Sequence, residues 1–455
     1  MGRNNDTGVN HEFEALLSSA RPTYKIPKEA FVSYRVKRGL READGTGVTA
    51  GVTRIGNAHG YVINEGEKTP TEGVLEYRGY DICDIVNGFT SEGRFGFEET
   101  AYLLLFGHLP TIDELYSFTD LLAEYRHLPP RFTEDILLIA PSRSIMNKLQ
   151  TAVLSLYSYD ENPDDVSLDN MLRQSMELLA RLPVIAAQSY AVYRNAFYDK
   201  SLNLHNAKDE LSTAENFLRI LRANKSYTEE EAHLLDLCLV LHAEHGGGNC
   251  STFATRVLSS SGTDTYSAIS AGIGALKGPR HGGANLKVQE MFDCIKGNVR
   301  DPRNEDELTS FLYQILKGEA NDRSGLIYGM GHAVYTMSDP RAVMLKNAAR
   351  KLAYEKDFGE DFELLESIER ITPGLFRAFK GLDQEMCANI DLYSGLVYRM
   401  LGIPVEMYTP LFTIARSAGW CAHRMEEYIT AKKIIRPGFK CIAKAQPYTA
   451  IADRK

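Results

Sequence analysis

Apolar residues recur at spacings of three and four along most of this chain, and this period constrains the fold more than any other feature. The pattern begins near Phe97 and is clearest in the stretches 145–160, 171–195, 214–222, 230–243, 391–401 and 409–431. Such spacing places apolar side chains on one face of an α-helix. The sequence therefore predicts a chain that is helical from Phe97 onward.

Residues 40–80 have a different pattern. Glycines are dense there, with Val, Thr, Ile and Tyr between them, as is typical of short strands and turns. The prediction is a mainly α fold with a small β element near the N-terminus. A chain of 455 residues exceeds the size at which a single core stops growing, so we expect two structural units.

Charge and composition exclude several classes of partner. The net charge of −9 disfavours nucleic acid and anionic membrane surfaces as partners. The seven cysteines are scattered without CxxC spacing, which indicates reduced thiols and neither a disulfide framework nor a zinc site. The N-terminal residues lack an apolar signal core, and no apolar run reaches the ~18 residues of a membrane helix. We expect a cytoplasmic protein.

Two histidine motifs lie in the middle of the chain. His242-Ala-Glu244-His245 is followed by three glycines, which is typical of a helix C-terminus; a metal site is the alternative, although the spacing is not HExxH. His281 lies in Gly-Pro-Arg-His-Gly-Gly, just before an apolar helical pattern. A histidine at a helix start has a lowered pKa and can donate a hydrogen bond while neutral. The alternative is that His281 is an ordinary histidine in a surface turn.

Two further motifs follow toward the C-terminus. Gly329-Met-Gly-His332 is a flexible loop that ends in Ser-Asp-Pro-Arg341, where the Asp-Pro pair predicts a helix start. Asp391 opens an apolar helix and is typical of an N-cap. Arg416 lies within an apolar helical stretch, where a buried guanidinium needs an anionic partner, and Arg436 is another isolated arginine.

The order of these motifs is more specific than any one of them. GPRHGGAN, GMGHAVYTMSDPR and NIDLYSG resemble three active-site motifs of the citrate synthase family, and HAEHGGGN resembles its upstream histidine motif. LEYRGYDICDI, FEETAYLLLFGHLPT and RLPVIAAQSYAVYR are similar to the N-terminal half of the family. The resemblance covers roughly residues 60–437.

The resemblance implies a citrate synthase-like two-domain helical fold. A large domain would comprise residues 1–289 and 396–455, a small domain would comprise 290–395, and the active site would lie in the cleft between them. It also implies a homodimer or an assembly of dimers, in which Arg436 reaches the active site of the partner subunit.

The resemblance also implies the chemistry, which joins acetyl-CoA to oxaloacetate. The catalytic residues would be Asp391 as the base, His281 as the donor to the thioester oxygen and His332 as the donor to the ketone. Oxaloacetate would be bound by His245, His332, Arg341, Arg416 and Arg436. The CoA adenine would lie against the loop of Tyr328, Gly329, Met330, Gly331 and Ala333. No metal or redox cofactor is implied, and acetyl-CoA is a substrate.

Three alternatives remain open. A 2-methylcitrate synthase would take propionyl-CoA in place of acetyl-CoA, because one methylene is worth only ~1–3 kcal/mol of discrimination. A metal-dependent hydrolase could use His242, His245 and Asp391. A catalytically inactive helical regulator is the third. The chain also departs from the family pattern at two places. Met386-Cys387-Ala388 stands where an aromatic-Pro pair is common, and Gly438 stands where a second basic residue is common.

Overall fold

The computed structural model describes residues 11–42, 45–64, 67–381 and 385–454, and it divides into two compact units. The main unit is Gly51–Ile435; the terminal unit combines Met1–Ala50 with Arg436–Lys455. Two short helices lie in the terminal unit, α1 (His11–Ala20) and α2 (Lys28–Ser33). Several large apolar side chains of this unit are exposed, among them Tyr24, Phe439 and Tyr448.

Fifteen of the described α-helices lie in the main unit. In chain order they are α3 (Ile82–Ser91), α4 (Phe97–Phe106), α5 (Ile112–Tyr125), α6 (Ile145–Leu156), α7 (Leu168–Tyr198), α8 (Thr213–Leu221), α9 (Glu229–His242), α10 (Cys250–Ser259), α11 (Thr265–Leu276), α12 (Ala284–Asn298), α13 (Glu305–Leu316), α14 (Pro340–Glu355), α15 (Gly359–Lys380), α16 (Asp391–Met400) and α17 (Tyr408–Thr430). The predicted mainly α architecture is confirmed.

A small sheet precedes the helices. Strands β1 (Gly56–Asn64) and β2 (Glu67–Tyr77) pair antiparallel, and β3 (Tyr80–Asp81) pairs with the end of β2. This sheet confirms the predicted β element. Strand β2 ends at Tyr77, whose buried hydroxyl donates to the Val240 carbonyl of α9 at 3.0 Å. This hydrogen bond joins the sheet to α9.

Helix α17 lies at the centre of the main unit and packs against α7, α9, α10 and α11. Most of its side chains are buried, including Trp420 and Arg416. A helix that is apolar on nearly every face is expected in the core, so its few charged side chains need partners inside the protein or from a ligand.

The predicted helix start at Asp339 is confirmed, since the Asp339 carboxylate caps α14 by accepting from the Arg341 N–H at 3.0 Å. The spacing of Met344, Leu345, Ala348 and Leu352 predicts that these four residues face inward, and this prediction is wrong at one of them. Leu345 is buried as expected, but Ala348 is exposed and its neighbour Ala349 is buried. Both alanines suit a helix, so the sequence alone gives little reason to choose between them.

Candidate active site

His245, His332 and Tyr335 form one cluster. Helix α9 ends at His242, so His245 lies in the following loop and not in the last turn of the helix. Its Nε2 lies 3.1 Å from the Tyr335 hydroxyl. The rings of His245 and His332 are 5.1 Å apart, and the His332 ring stacks on Tyr335 at 4.6 Å. Residues 90 positions apart are thus brought into contact.

The backbone fixes the tautomer of His332. Its Nδ1 accepts from the N–H groups of Val334 and Tyr335 at 3.1 and 3.2 Å. A backbone N–H can only donate, so the ring proton is on Nε2. Burial, together with the charge of Arg341, lowers the pKa of His332 to about 4. His332 is therefore a neutral N–H donor near pH 7.

His281 is held in a similar way by another helix. It lies in the turn before α12, which begins at Ala284, and its Nε2 lies 3.3 Å from the Ser251 N–H in the first turn of α10. The ring proton is therefore on Nδ1. Burial, with a contribution from Arg416, lowers the pKa of His281 to about 4. The predicted fall in pKa is present, and burial is its largest cause.

Arg341 is buried together with Asp339. Its Nε and one terminal nitrogen donate to the two carboxylate oxygens at 3.0 and 2.7 Å. The Asp339 carboxylate also accepts from the Ile390 N–H at 3.3 Å, immediately before Asp391. Asp339 therefore connects the start of α14 to the start of α16.

Arg416 is buried without a carboxylate partner. Its side chain is 1% exposed, its Nε donates to the His242 carbonyl at 2.6 Å, and the guanidinium lies 4.7 Å from the centre of the Phe412 ring. Among the described residues, no carboxylate forms an ion pair with it. Burial lowers the pKa of Arg416 to about 10. Such a cation is suited to bind an anionic ligand.

Asp391 is the first residue of α16, but its carboxylate does not cap the helix. Within the described part of the chain the carboxylate accepts no hydrogen bond, so the N-cap interpretation is wrong. Burial raises the pKa of Asp391 to about 6, against the opposing charges of Arg341 and Arg416. A carboxylate with that pKa is a stronger base than an ordinary aspartate and is still ionised at pH 7.

The glycine loop 328–333 lies directly beside the segment before Asp391. Gly331 donates to the Cys387 carbonyl at 2.8 Å, and Asn389 donates to the Gly329 carbonyl at 2.9 Å. Gly329 has a φ of +81°, and a Cβ there would lie 2.9 Å from Leu392 Cα. A glycine is required at this position, because the backbones of the loop and of α16 approach so closely.

Comparison with known proteins agrees with this geometry. Residues 44–438 match the family model described as citrate synthase, C-terminal domain. The chain belongs to the citrate synthase family. It is 34% identical over 392 residues to the citrate synthase of Corynebacterium glutamicum, covering 84% of this chain and 82% of that protein. The 2-methylcitrate synthase 1 of the same organism is also 34% identical, over 81% of this chain and 89% of that protein.

Solved citrate synthase structures share the fold. The enzyme of Pyrobaculum aerophilum superimposes with a TM-score of 0.74 at 28% identity, covering 92% of this chain and 95% of that one. The citrate synthase of Thermoplasma acidophilum, solved in a ternary complex with carboxymethyl coenzyme A and oxaloacetate, also gives 0.74 at 28% identity and covers 92% and 99%.

Several side chains around the citrate synthase motifs were not predicted from the sequence. Tyr335 joins the two histidines, Ser251 holds His281, and Phe412 packs between His242 and Arg416. Tyr335 lies inside the GMGHAVYTMSDPR motif and could have been noticed there. Ser251 and Phe412 carried no signal, because their roles depend on contacts between distant helices.

Arg436 belongs to the terminal unit, where its side chain is exposed. Its contact with a partner subunit stays a prediction.

The His242 ring directs its Nδ1 toward the Cys238 carbonyl, at 2.8 Å. In the described ranges of this citrate synthase family member, no three His, Cys, Asp or Glu side chains are arranged to hold a metal ion. Nor does any described helix have the length and apolar character needed to cross a bilayer.

Proposed function

We propose that this chain condenses acetyl-CoA with oxaloacetate and water to give citrate and CoA, the citrate synthase reaction of the tricarboxylic acid cycle. Membership of the family makes it an acyltransferase, and several relatives at about 34% identity carry the name citrate synthase. The single observation that supports the reaction best is the buried Arg416, which has no carboxylate partner among the described residues and lies near neutral histidine donors and a basic Asp391.

The first step would be removal of a methyl proton from acetyl-CoA by Asp391. The methyl group of a thioester is a very weak acid, so the enolate oxygen must be stabilised as the proton leaves. The Nδ1–H of His281 is available for that oxygen, since its Nε2 is occupied by the Ser251 N–H. A base with a pKa of about 6 and a neutral donor together suit proton abstraction near pH 7.

The second step would be attack of the enolate carbon on the oxaloacetate ketone. The Nε2–H of His332 would donate to the ketone oxygen as it gains negative charge. Arg341 and Arg416 would bind the two carboxylates with His245, and Arg436 of a second subunit would complete the site. Water then hydrolyses the citryl thioester and releases CoA. Each of these steps balances with acid–base groups alone, so we propose no metal or redox cofactor.

A 2-methylcitrate synthase activity is the second candidate. Its support is specific, since a protein of that name is as similar to this chain as several citrate synthases are.

We further propose that the loop Tyr328–Ala333 contacts the CoA adenine, that residues 290–395 form the small domain, and that the active form is a homodimer or an assembly of dimers.

The test is release of free thiol from acetyl-CoA, with and without oxaloacetate, run in parallel with propionyl-CoA and with EDTA. Oxaloacetate-dependent, EDTA-insensitive release that is abolished in Asp391→Ala supports the proposal. The ratio of the two acyl-CoA rates separates citrate from 2-methylcitrate synthesis. A folded protein that releases thiol from neither thioester would overturn the reaction, and loss of activity in EDTA would favour the hydrolase.

A further inference from the structure

Behind the histidine cluster lies a chain of buried ionisable side chains that the proposed reaction does not use. The Glu244 carboxylate accepts from His423 Nε2 at 2.9 Å, and both side chains are fully buried. On its other side, His423 Nδ1 lies 3.2 and 2.6 Å from two nitrogens of Arg256. Arg256 in turn donates to Glu426 and Glu427. We name Glu244, His423 and Arg256 the buried relay.

The direction of every bond in the buried relay is fixed. A guanidinium can only donate, so Nδ1 of His423 accepts and its ring proton is on Nε2, where it faces Glu244. Burial would raise the pKa of Glu244, but His423, Arg416 and the Gly246 N–H together lower it. Glu244 is therefore a buried anion whose hydrogen-bond donors come from the relay and from its own loop.

The position of Glu244 leaves no room for an alternative arrangement. A Cβ at Gly419 would lie 2.3 Å from one Glu244 carboxylate oxygen, and the Gly419 N–H donates to the Ala243 carbonyl at 3.2 Å. That same carboxylate oxygen is buried and has no hydrogen-bond partner among the described residues. A buried carboxylate held in this way costs stability, so packing alone is a poor reason for it to be there.

The buried relay ends in the 242–246 segment, which carries the proposed oxaloacetate ligand His245 and accepts a hydrogen bond from Arg416. The His242 carbonyl accepts from Arg416, and the Glu244 carboxylate accepts from the Gly246 N–H, so these bonds lie on both sides of His245. Burial lowers the pKa of Arg416, and the negative charge of Glu244 is the largest effect that opposes this fall. Movement of this short segment would displace both His245 and Arg416.

We propose that Glu244, His423 and Arg256 are positioning residues for oxaloacetate: they fix the 242–246 segment so that His245 and Arg416 are held ready for the substrate. This inference rests on the proposed function. It predicts that a break in the buried relay weakens oxaloacetate binding more than it weakens acetyl-CoA use, because among the described residues no hydrogen bond joins Glu244, His423 or Arg256 to the 328–333 loop.

The test compares two substitutions at one position. His423→Leu removes both bonds of the imidazole. His423→Gln can still donate one amide N–H to Glu244 and accept from Arg256 with its amide oxygen. We expect the dissociation constant for oxaloacetate, measured by calorimetry without acetyl-CoA, to rise about tenfold or more in His423→Leu and less than about threefold in His423→Gln. The KM for acetyl-CoA at saturating oxaloacetate should stay within about twofold in both.

Arg424→Met is the matched control. Arg424 is a buried arginine of the same helix, but it donates to Thr265, Ser259 and Thr263 and, among the described residues, forms no hydrogen bond with Glu244, His423 or Arg256. This variant should lose thermal stability and keep the wild-type affinity for oxaloacetate, as a purely structural role would. If His423→Leu does not fold, His423→Asn takes its place, since asparagine is too short to reach both partners.

Wild-type affinity in a folded His423→Leu or His423→Asn variant would overturn this inference and leave the proposed function intact. Weaker binding in Arg424→Met equal to that in His423→Leu would also overturn it, because the loss would then reflect general destabilisation. If the wild-type protein itself neither binds oxaloacetate nor releases thiol, the proposed function falls, and the inference falls with it.

Discussion

Asp391, the proposed catalytic base, is buried at a cost in stability. Its carboxylate is placed at the start of α16 without a hydrogen-bond donor from the described chain, and burial raises its pKa from 3.8 to about 6. The folded state therefore resists ionisation of this group. The difference corresponds to about 3 kcal/mol against folding at a pH above 6.

Asp391→Asn should accordingly be inactive and more stable than the wild type at pH 7. We expect the free energy of unfolding in urea to rise by up to ~3 kcal/mol at pH 7, and the gain to shrink as the pH falls from 6 toward 3.8, because both states bind the proton only below that value. The exposed Asp120→Asn is the control and should change the free energy of unfolding by less than ~0.5 kcal/mol. An Asp391→Asn protein that is less stable at pH 7 would contradict this account.

The same carboxylate sets the expected pH dependence. Asp391 must be ionised to accept a proton, so kcat/KM should fall below a pH of about 6 and reach a plateau above it. His281 and His332, each with a pKa of about 4, stay neutral throughout that range. Rates measured between pH 4.5 and 8 at constant ionic strength check this. A rate that is flat down to pH 5 would exclude Asp391 as the base.

At the scale of single residues, the order of the motifs predicted the residues of the candidate site. Contacts confirm that His245 and His332 lie together, and they show Arg341 joined through Asp339 to the residue before Asp391. The motifs predict no role for Glu244 or Trp420, yet Glu244 lies in the buried relay and Trp420 donates to Ser251, which holds His281. Those bonds join residues more than 160 positions apart, so no local pattern could predict them.

The helices and strands were more predictable than their ends. Periodicity found α7, α9, α16 and α17, because each buries an apolar face of two or more turns. The three glycines after His245 placed this residue in the last turn of a helix, but that helix ends at His242. The difference arises because the 243–249 segment is fixed by bonds to α17 and β2 and not by its own propensity.

Loop 328–333 gives a prediction at the scale of an element. Gly329→Ala would place a Cβ 2.9 Å from Leu392 Cα and push the loop away from α16. We expect the KM for acetyl-CoA to rise about tenfold, with oxaloacetate affinity within about twofold of the wild type.

Gly402→Ala is its matched control. Gly402 also has a positive φ, +62°, but a Cβ there meets nothing within 4 Å. Both variants bear the ~1 kcal/mol strain of a left-handed backbone, so only the collision distinguishes them. Equal rises in the KM for acetyl-CoA would show that backbone strain, and not the contact with α16, is responsible.

At the scale of the molecule, the division at residues 290 and 395 into a large and a small domain stays a prediction, and so does the cytoplasmic location. So too does the homodimer, which assigns Arg436 to the active site of a partner subunit. The sequence could suggest both the division and the dimer only by resemblance, since an interface or a hinge leaves no periodic pattern of its own.

Mixing two inactive variants tests the dimer directly. If Arg436 completes the site of the partner, a dimer of Arg436→Ala and Asp391→Ala chains contains one intact site. Co-expression of the two variants should then restore about a quarter of the wild-type thiol release, while each variant alone stays inactive. No recovery in mixed dimers, verified by mass, would place Arg436 in the site of its own chain or outside any site.

The buried Arg416 has a consequence beyond catalysis. Among the described residues this guanidinium forms no ion pair, so the protein should be more stable with an anion bound there than without one, by an amount that grows with the logarithm of the anion concentration. A cell rich in oxaloacetate would then protect this enzyme from unfolding and degradation, and a starved cell would not. On the proposed function, the lifetime of the protein would then depend on the supply of its own substrate.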